Sequence, residues 1–377
     1  MRILMTTTNS SLMDGINRHI LSIAPSLNEM PAVEVAVCTT FRAGELNQSL
    51  EQQGVRCFAL NAESGHSFCV FTNFLRVMRE FKPDLLHIHV LPLFARVIIH
   101  FFYRKVPCVQ TIHGIVRERG FSKILNCLID HILAINLKMT AFISNGVRRF
   151  YENGGGDYSN ENSCVVYNPM DLCEQDCSKE TLHNLLKLPP NTILLGTACR
   201  IASIKNPVLF TKVFCHVLKK IPSAHAVIIG DGEKYLWDKM KEVVSQFDMA
   251  DRVHFLGYCP NAKELIAGLD CFVMTSRSEG MPTALLEAMA NGVLVAFMRG
   301  GGGLQDLDNL NLKDGAFACV EDAGDDRALA HSIAKTLENQ KLREGYIQNA
   351  SRILTEKFSR KSTSNMLIEA YRKVLEQ

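Results

Sequence analysis

The chain has 377 residues, 47% of them hydrophobic and 21% charged, with a formal net charge of +2. These totals exclude a disordered chain and suit about two globular domains; the near-neutral balance gives no reason to expect nucleic acid as a partner. The longest apolar run, 91–103, is broken by Arg96 and His100 and is too short to span a bilayer, and the opening MRILMTTTNSS lacks the apolar core of a signal peptide.

The 13 cysteines are an odd number with no CxxC pair, and most sit inside apolar strings such as Thr197-Ala198-Cys199. Cys173 and Cys177 have no matching pair nearby. They read as reduced, buried thiols of a cytoplasmic protein, not as zinc ligands or disulfides.

In chain order, Arg2–Thr7 reads as a strand and Gly15–Leu27 as a helix with Ile16, Ile20, Ile23 and Leu27 on one face. Strands follow at 33–39, 55–60, 85–88, 108–112 and 141–144, with helices between most of them. Continuous apolar strands alternating with helices predict a parallel sheet covered on both faces, with ligands beyond the carboxyl ends of its strands. Two loops lie at that end: Asn9 to Gly15, and Thr111-Ile112-His113-Gly114. Gly15 either lets the backbone approach a phosphate at a helix start or is a plain N-cap glycine. His113 sits at a strand end, where a lone histidine is more often structural. His87 and His89 alternate along one strand, and no third ligand is evident that would make them a metal site.

A turn-rich loop, 154–160, and a short strand at 165–167 lead to Asn168-Pro169. The polar stretch from Cys173 to Asn191 reads as the domain linker, dividing the chain into 1–172 and 173–360 with a last helix over 361–377. The second half restarts the alternation. Strands are expected at 193–198, 226–230, 253–255, 271–274, 293–297 and 315–320, and helices at 207–221, 235–247 and 325–337. The final helix, 363–375, carries Met366, Ile368, Tyr371 and Val374. No short repeat is visible.

The most informative stretch is Ser278 to Val293, SEGMPTALLEAMANGV. Gly280 and Pro282 make a turn, and Leu285, Leu286 and Met289 give the following helix its apolar side. With Pro282 at the first helical position, the N–H groups of Thr283, Ala284 and Leu285 are free for an anion, aided by the helix dipole. Glu279 precedes this helix start and Glu287 lies on the helix. Two acids around a phosphate-binding helix start suit a nucleotide sugar; two solvated acids on a capped helix are the plainer alternative. Arg200 and Lys205 follow the first strand of the second half, where two cations can hold a diphosphate and stabilise it as a leaving group.

The Glu279–Glu287 stretch resembles the signature of the family 4 glycosyltransferases, in which seven residues separate two glutamates. The resemblance takes in the Arg200–Lys205 loop, Gly230-Asp231-Gly232, Asp84-Leu85-Leu86-His87-Ile88-His89, Thr111-Ile112-His113-Gly114, Phe142-Ile143-Ser144 and Val166-Tyr167-Asn168. It implies the GT-B fold: two Rossmann-like, doubly wound parallel-sheet domains facing a central cleft, with the last helix returning to the first. It also implies retaining transfer from a nucleotide sugar, a UDP-sugar before other bases, with no cofactor and no essential metal. By position, Arg200 and Lys205 would bind the diphosphate and Gly15 would approach it. Glu279 would contact sugar hydroxyls, with the backbone of Gly280, Met281, Pro282 and Thr283 beside the sugar and phosphates. Glu287 would hold the ribose, Leu286 would pack near the base, and His113 would contact the sugar. The sequence departs from the family pattern in three places: a single Gly15 after Asp14, Cys199 where a glycine commonly precedes the arginine, and no glutamate after the glycine run at 300–303. Asp306-Leu307-Asp308 looks like a metal-binding DxD, but the fold is wrong for that use and the match is read as coincidence.

The resemblance points to a saccharide or lipid-linked saccharide acceptor in surface polysaccharide or lipopolysaccharide synthesis. Arg96, Arg104, Lys105, Arg117, Arg119, Lys123 and Lys138 lie among apolar residues and fit peripheral contact with an anionic membrane from the cytoplasm, or else a solvated face. A nucleotide-sugar 2-epimerase of the same architecture and a catalytically silent binding subunit are the competing readings. A dinucleotide-binding dehydrogenase is weaker, because no GxGxxG follows the first strand.

Overall fold

The computed structural model describes residues 1–12, 14–65, 67–115, 137–155, 158–159, 161–173 and 180–377. The chain divides into two units, Met1–Pro169 with Ser359–Gln377, and Met170–Phe358.

The first unit is built around β1 (Arg2–Thr7), in which Ile3, Leu4 and Met5 are all fully buried. A strand buried on both faces belongs in the middle of a parallel sheet. It pairs in parallel with β2 (Glu34–Thr39) on one side and β4 (Leu85–Ile88) on the other, so Ile3 lies opposite Val35 and Leu85. With β3 (Arg56–Ala59), β5 (Cys108–Ile112), β6 (Leu137–Phe142) and β7 (Ser163–Val165) the sheet has, among the described residues, seven strands in the order β3-β2-β1-β4-β5-β6-β7.

Alternate side chains of β1 feed opposite cores, as the pleat requires. Ile3 and Met5 pack with Ile20, Ile23 and Leu27 of α1 (Gly15–Asn28) and with Leu367, Tyr371 and Val374 near the C-terminus. Leu4 faces α3 (Phe68–Phe81) and α4 (Leu93–Phe102) through Phe74, Val77, Phe81, Ile98 and Ile99. Between β2 and β3 lies α2 (Glu45–Gln52), and α5 (Asn145–Asn153) precedes β7.

The second unit repeats the plan. Its strands β8 (Ile193–Ala198), β9 (Ala224–Ile229), β10 (Val253–Gly257), β11 (Cys271–Met274), β13 (Leu294–Met298) and β15 (Ala318–Glu321) run in the order β10-β9-β8-β11-β13-β15. Phe210, Phe214 and Leu218 of α7 (Pro207–Lys220) share one core with Met240 of α8 (Lys234–Gln246) and with Leu329 and Ile333 of α12 (Asp326–Glu338). Helix α9 (Ala262–Ala267) leads into β11.

Several expectations change. The stretch 173–191 is not all linker: among its described residues, α6 (Glu180–Leu186) buries Leu182 completely in the second unit. The glycine run at 300–303 is not a plain loop. Gly301–Gly302 form β14, which pairs with β12 (Ser278–Glu279), and Gly303 opens helix α11 (Gly303–Lys313). Helix α10 (Thr283–Ala290) begins one residue later than expected. A further helix, α13 (Gln340–Ile353), precedes the last one, α14 (Arg360–Leu375), on which Leu367 is buried and Met366 is exposed. The eleven described cysteines are all free, and Cys177 lies outside the described residues.

Candidate active site

In the second unit the rim beyond the carboxyl ends of the strands is built from backbone pressed on backbone. Past β8, Cys199 N–H donates to Ile229 O at 3.0 Å and Ile201 N–H to Asp231 O at 2.9 Å. A Cβ at Gly230, where φ is +131°, would lie 1.8 Å from Cys199 O, and one at Gly232 would lie 2.1 Å from Ile201 O. The Gly-Asp-Gly turn is therefore glycine for contact with the Arg200 loop. A single 3-10 turn, Ser203–Lys205, and the left-handed Asn206 then turn the chain into α7, with Pro207 at its first position.

The Glu279 loop is held in the same way. Arg277 N–H donates to Ile204 O at 2.9 Å, and Thr275 Oγ1 to Asn206 O at 3.1 Å. A Cβ at Gly302 would come within 1.9 Å of Glu279 O, and one at Gly303 within 2.6 Å of Gly280 O. These contacts place Glu279 beside Lys205, whose Nζ lies 2.6 and 2.7 Å from the two carboxylate oxygens. The pair is mostly shielded from solvent. Arg200 is exposed and, among the described residues, has no hydrogen-bond or ion-pair partner.

At the start of α10, Pro282 is the residue before the helix, and its carbonyl accepts from both Leu285 and Leu286 N–H at 3.1 Å. Leu285 is thus not a free donor, contrary to the sequence expectation: a carbonyl at the helix start closes its first turn. Thr283 and Ala284 N–H have no partner among the described residues. Gly280 is part-buried, and Met281 is nearly buried beneath the loop. Glu287 is part-buried on the same helix, whereas Leu286 is fully buried and presents no surface to a base. Asp308 accepts from Arg299 Nε at 3.0 Å, which gives the DxD-like pair a structural use.

The first unit builds its rim from side chains. Asp14 caps α1 by accepting from Ile16 N–H at 2.9 Å, so Gly15 is the first helical residue and not the cap. No described residue lies within 4 Å of where a Gly15 Cβ would be. Asn17, fully buried, accepts from Thr7 Oγ1 at 2.9 Å and donates to Asn9 Oδ1 and Ser11 O at 2.6 and 2.9 Å, clamping the loop ahead of the helix.

His113, part-buried at the end of β5, is not alone. Its Nε2 lies 2.8 Å from Nδ1 of His89, and the His19 ring lies 5.1 Å from its own. The His87 and His89 rings are 4.2 Å apart. His87 bonds Thr111 Oγ1 through Nε2 and the Tyr371 hydroxyl through Nδ1, each at 2.6 Å. His19 and His113 thus stand beside His87 and His89, but no group of three or more ligands among the described residues is arranged to hold a metal ion.

Burial keeps these rings neutral. It pushes His87 down to about 3, with His19 adding repulsion, and His19 itself down to about 4. Asn168 offsets part of the effect on His19, although among the described residues His19 Nδ1 and Asn168 Oδ1 are both buried without a partner at hydrogen-bond length. Burial likewise holds His89 and His113 well below 6.5. Asn17, His19 and Tyr371 were missed as site-shaping residues. Their only signal was polar chemistry on otherwise apolar helix faces.

Comparison with known proteins agrees with both halves. The family 4 glycosyltransferase model matches residues 13–174, and the model of group 1 glycosyl transferases matches 178–353. The chain belongs to the glycosyltransferases of the family 4, group 1 type. The chain is 25% identical over 150 residues, 40% of its length and 42% of the relative, to the lipopolysaccharide core biosynthesis glycosyltransferase LpsE of Rhizobium meliloti. It is 30% identical over 111 residues, 29% of the chain and 28% of the relative, to an Escherichia coli UDP-Gal:alpha-D-GlcNAc-diphosphoundecaprenol alpha-1,3-galactosyltransferase. The matched region thus spans well under two thirds of these relatives. Over its whole length its fold is that of Anabaena HepE, solved with UDP: TM-score 0.76 and 20% identity, covering 99% of this chain and all of the other. The two Rossmann-like sheets are those of the GT-B architecture.

Of the cations read as a membrane-facing group, Arg96 donates to Leu91 O at 2.9 Å and so holds its own helix start. Arg104, Lys105 and Lys138 are exposed, while Arg117, Arg119 and Lys123 lie outside the described residues.

Proposed function

We propose that the chain is a retaining, metal-independent hexosyltransferase. It moves a sugar from a nucleotide sugar, a UDP-sugar first, to a saccharide or lipid-linked saccharide acceptor in surface polysaccharide or lipopolysaccharide synthesis. The observation that carries the reading is one rim holding the Lys205–Glu279 pair, the exposed Arg200 and the unbonded N–H groups of Thr283 and Ala284. A diphosphate arriving there takes over Lys205 and Arg200 and frees Glu279 for sugar hydroxyls. Charge neutralisation on the departing diphosphate lowers the barrier to cleavage. Glu287 holds the ribose, and Gly280, Met281, Pro282 and Thr283 line the sugar and phosphates. Gly15 and His113 take the roles the resemblance implies, diphosphate approach and sugar contact. The UDP in Anabaena HepE and the undecaprenol-linked acceptor named for the Escherichia coli relative support the donor and acceptor classes.

The test is release of nucleoside diphosphate from UDP-, GDP- and ADP-sugars by wild type and Glu279→Ala, with chelator present. Turnover of one donor, lost in the variant and indifferent to chelator, is the expected result, and the anomeric configuration of the product checks retention. A changed nucleotide sugar released without acceptor would favour the 2-epimerase; neither turnover nor donor binding would favour the silent subunit.

Contact with an anionic membrane is part of the proposal. Among the described residues, no helix is long and apolar enough to cross a membrane. Phe68, Phe101 and Phe102 are 69%, 68% and 63% exposed, and Phe71 touches both Phe68 and Phe102. Arg76, Arg79, Arg104 and Lys105 are exposed on or beside the same two helices. Rings for the interface beside cations for headgroups suit such a surface. Co-sedimentation with anionic liposomes at low salt, lost in Phe101→Ser/Phe102→Ser, is expected.

A further inference from the structure

We infer that His89 is a positioning residue: it donates from Nδ1 to Nε2 of His113, and so fixes His113 as the tautomer protonated on Nδ1. The inference rests on the reading of His113 as a donor-sugar contact. His89 follows β4 and His113 follows β5, neighbouring parallel strands in which Ile88 lies opposite Gln110. The register brings the two rings together, with 2.8 Å between nitrogens.

Two neutral imidazoles sharing one hydrogen bond leave two arrangements. In one, His113 Nε2–H donates to a bare His89 Nδ1, and the His89 proton sits on Nε2. In the other, His89 Nδ1–H donates and its Nε2 is bare. His89 is 5% exposed, and its Nε2 is buried with no partner among the described residues. An orphaned buried N–H is rarer in folded proteins than an under-satisfied buried acceptor, so the second arrangement is favoured. A proton shared as an imidazolium is opposed by burial and by the His87 and His19 rings, whose centroids lie 4.2 and 5.5 Å from that of His89.

The consequence is chemical. With Nε2 occupied as an acceptor, His113 has Nδ1–H as its remaining polar group. It can donate to a hydroxyl or carbonyl oxygen of the donor sugar, and it cannot take the proton of an attacking acceptor hydroxyl. Asparagine at position 89 keeps an N–H donor where His89 has Nδ1, and leucine does not.

The experiment is tautomer-resolved nitrogen NMR of the full chain labelled on histidine, with the His113 signals assigned by their loss in His113→Asn. It is paired with donor-turnover kinetics of His89→Asn and His89→Leu. The expected results are a protonated Nδ1 and bare Nε2 on His113 in wild type and His89→Asn, and a shift of the proton toward Nε2 in His89→Leu. In kcat/KM, His89→Asn should stay within about threefold of wild type and His89→Leu should fall about tenfold or more, as when the orienting partner of a functional imidazole is removed. A wild-type His113 protonated on Nε2, or equal kinetics for the leucine and asparagine variants, would overturn the inference. Full turnover by His113→Asn would instead overturn the donor-sugar reading of His113 and leave the tautomer assignment standing.

Discussion

The two rims are held by different means. In the second unit, glycines at 230, 232, 302 and 303 press loop backbone onto loop backbone, so the positions of Arg200, Lys205 and Glu279 follow from main-chain contact. In the first, the Asn9–Gly15 loop and His113 are held by buried side-chain hydrogen bonds from Asn17, His89, His87 and Tyr371. The first kind tolerates loss of its charged side chains and no added methyl group. The second tolerates added methyl groups where space is open and depends on the protonation of its members. The charged side chains sit on the backbone-built rim, and the neutral histidines sit on the side-chain-built one.

The widest test of this contrast is Lys205→Met. Donor turnover should fall about a hundredfold, the scale of a lost charge-stabilising group, while stability falls by only about 1–3 kcal/mol, the cost of leaving the mostly shielded Glu279 carboxylate without its partner. Unfolding of the second unit in a urea titration of this variant would mean that the ion pair, not the backbone, holds the loop. Next is Gly230→Ala, which drives a Cβ onto Cys199 O at positive φ and should cost about 3 kcal/mol or more in the same titration. Gly15→Ala, with no described residue within 4 Å, should leave stability unchanged or raise it by up to about 1 kcal/mol.

Acid should act on the first unit. For a histidine whose folded pKa lies below its unfolded value, the unfolded chain binds the extra proton between the two. Stability is therefore fully present above pH 6.5 and falls as the pH drops. For His19, lowered to about 4, the loss by pH 4 is on the order of 3 kcal/mol, and His87, lowered to about 3, adds to it. His216, His225 and His254 of the second unit are also lowered by burial, but they are less enclosed and should contribute less. Thermal melts from pH 7 to pH 4, followed by proteolysis to locate the opening, should find the first unit yielding first. Within the same cluster, the uncharged counterpart of that test is Tyr371→Phe. It leaves His87 Nδ1 buried without its partner at a cost of about 1–3 kcal/mol, seen as a lower melting temperature at pH 7.

Much of the fold was legible because its signals are local. The strands at 2–7, 85–88, 108–112, 193–198 and 271–274 match the structure residue for residue, since an apolar run bounded by polar turns needs only its own composition to be read. Helix α11 escaped because its start is a glycine run, and glycine reads as loop unless the backbone it must approach is known. Of the site, the Glu279 loop and the Arg200–Lys205 loop were legible as motifs at strand ends. That Lys205 and Glu279 would meet was not, because the contact depends on β8 and β11 lying side by side.

The sequence by itself determined two doubly wound sheets, the loops at their carboxyl ends, and the residue types available there. Hydrophobic period and turn chemistry act over a few residues, and they carry that much. Only the tertiary structure decided that His19, His87, His89 and His113 share one buried cluster closed by Tyr371 from the far end of the chain. Those residues come from three segments of the first half and from the last helix. Strand order and the return of that helix bring them together, and burial, which no single segment specifies, then sets their charge.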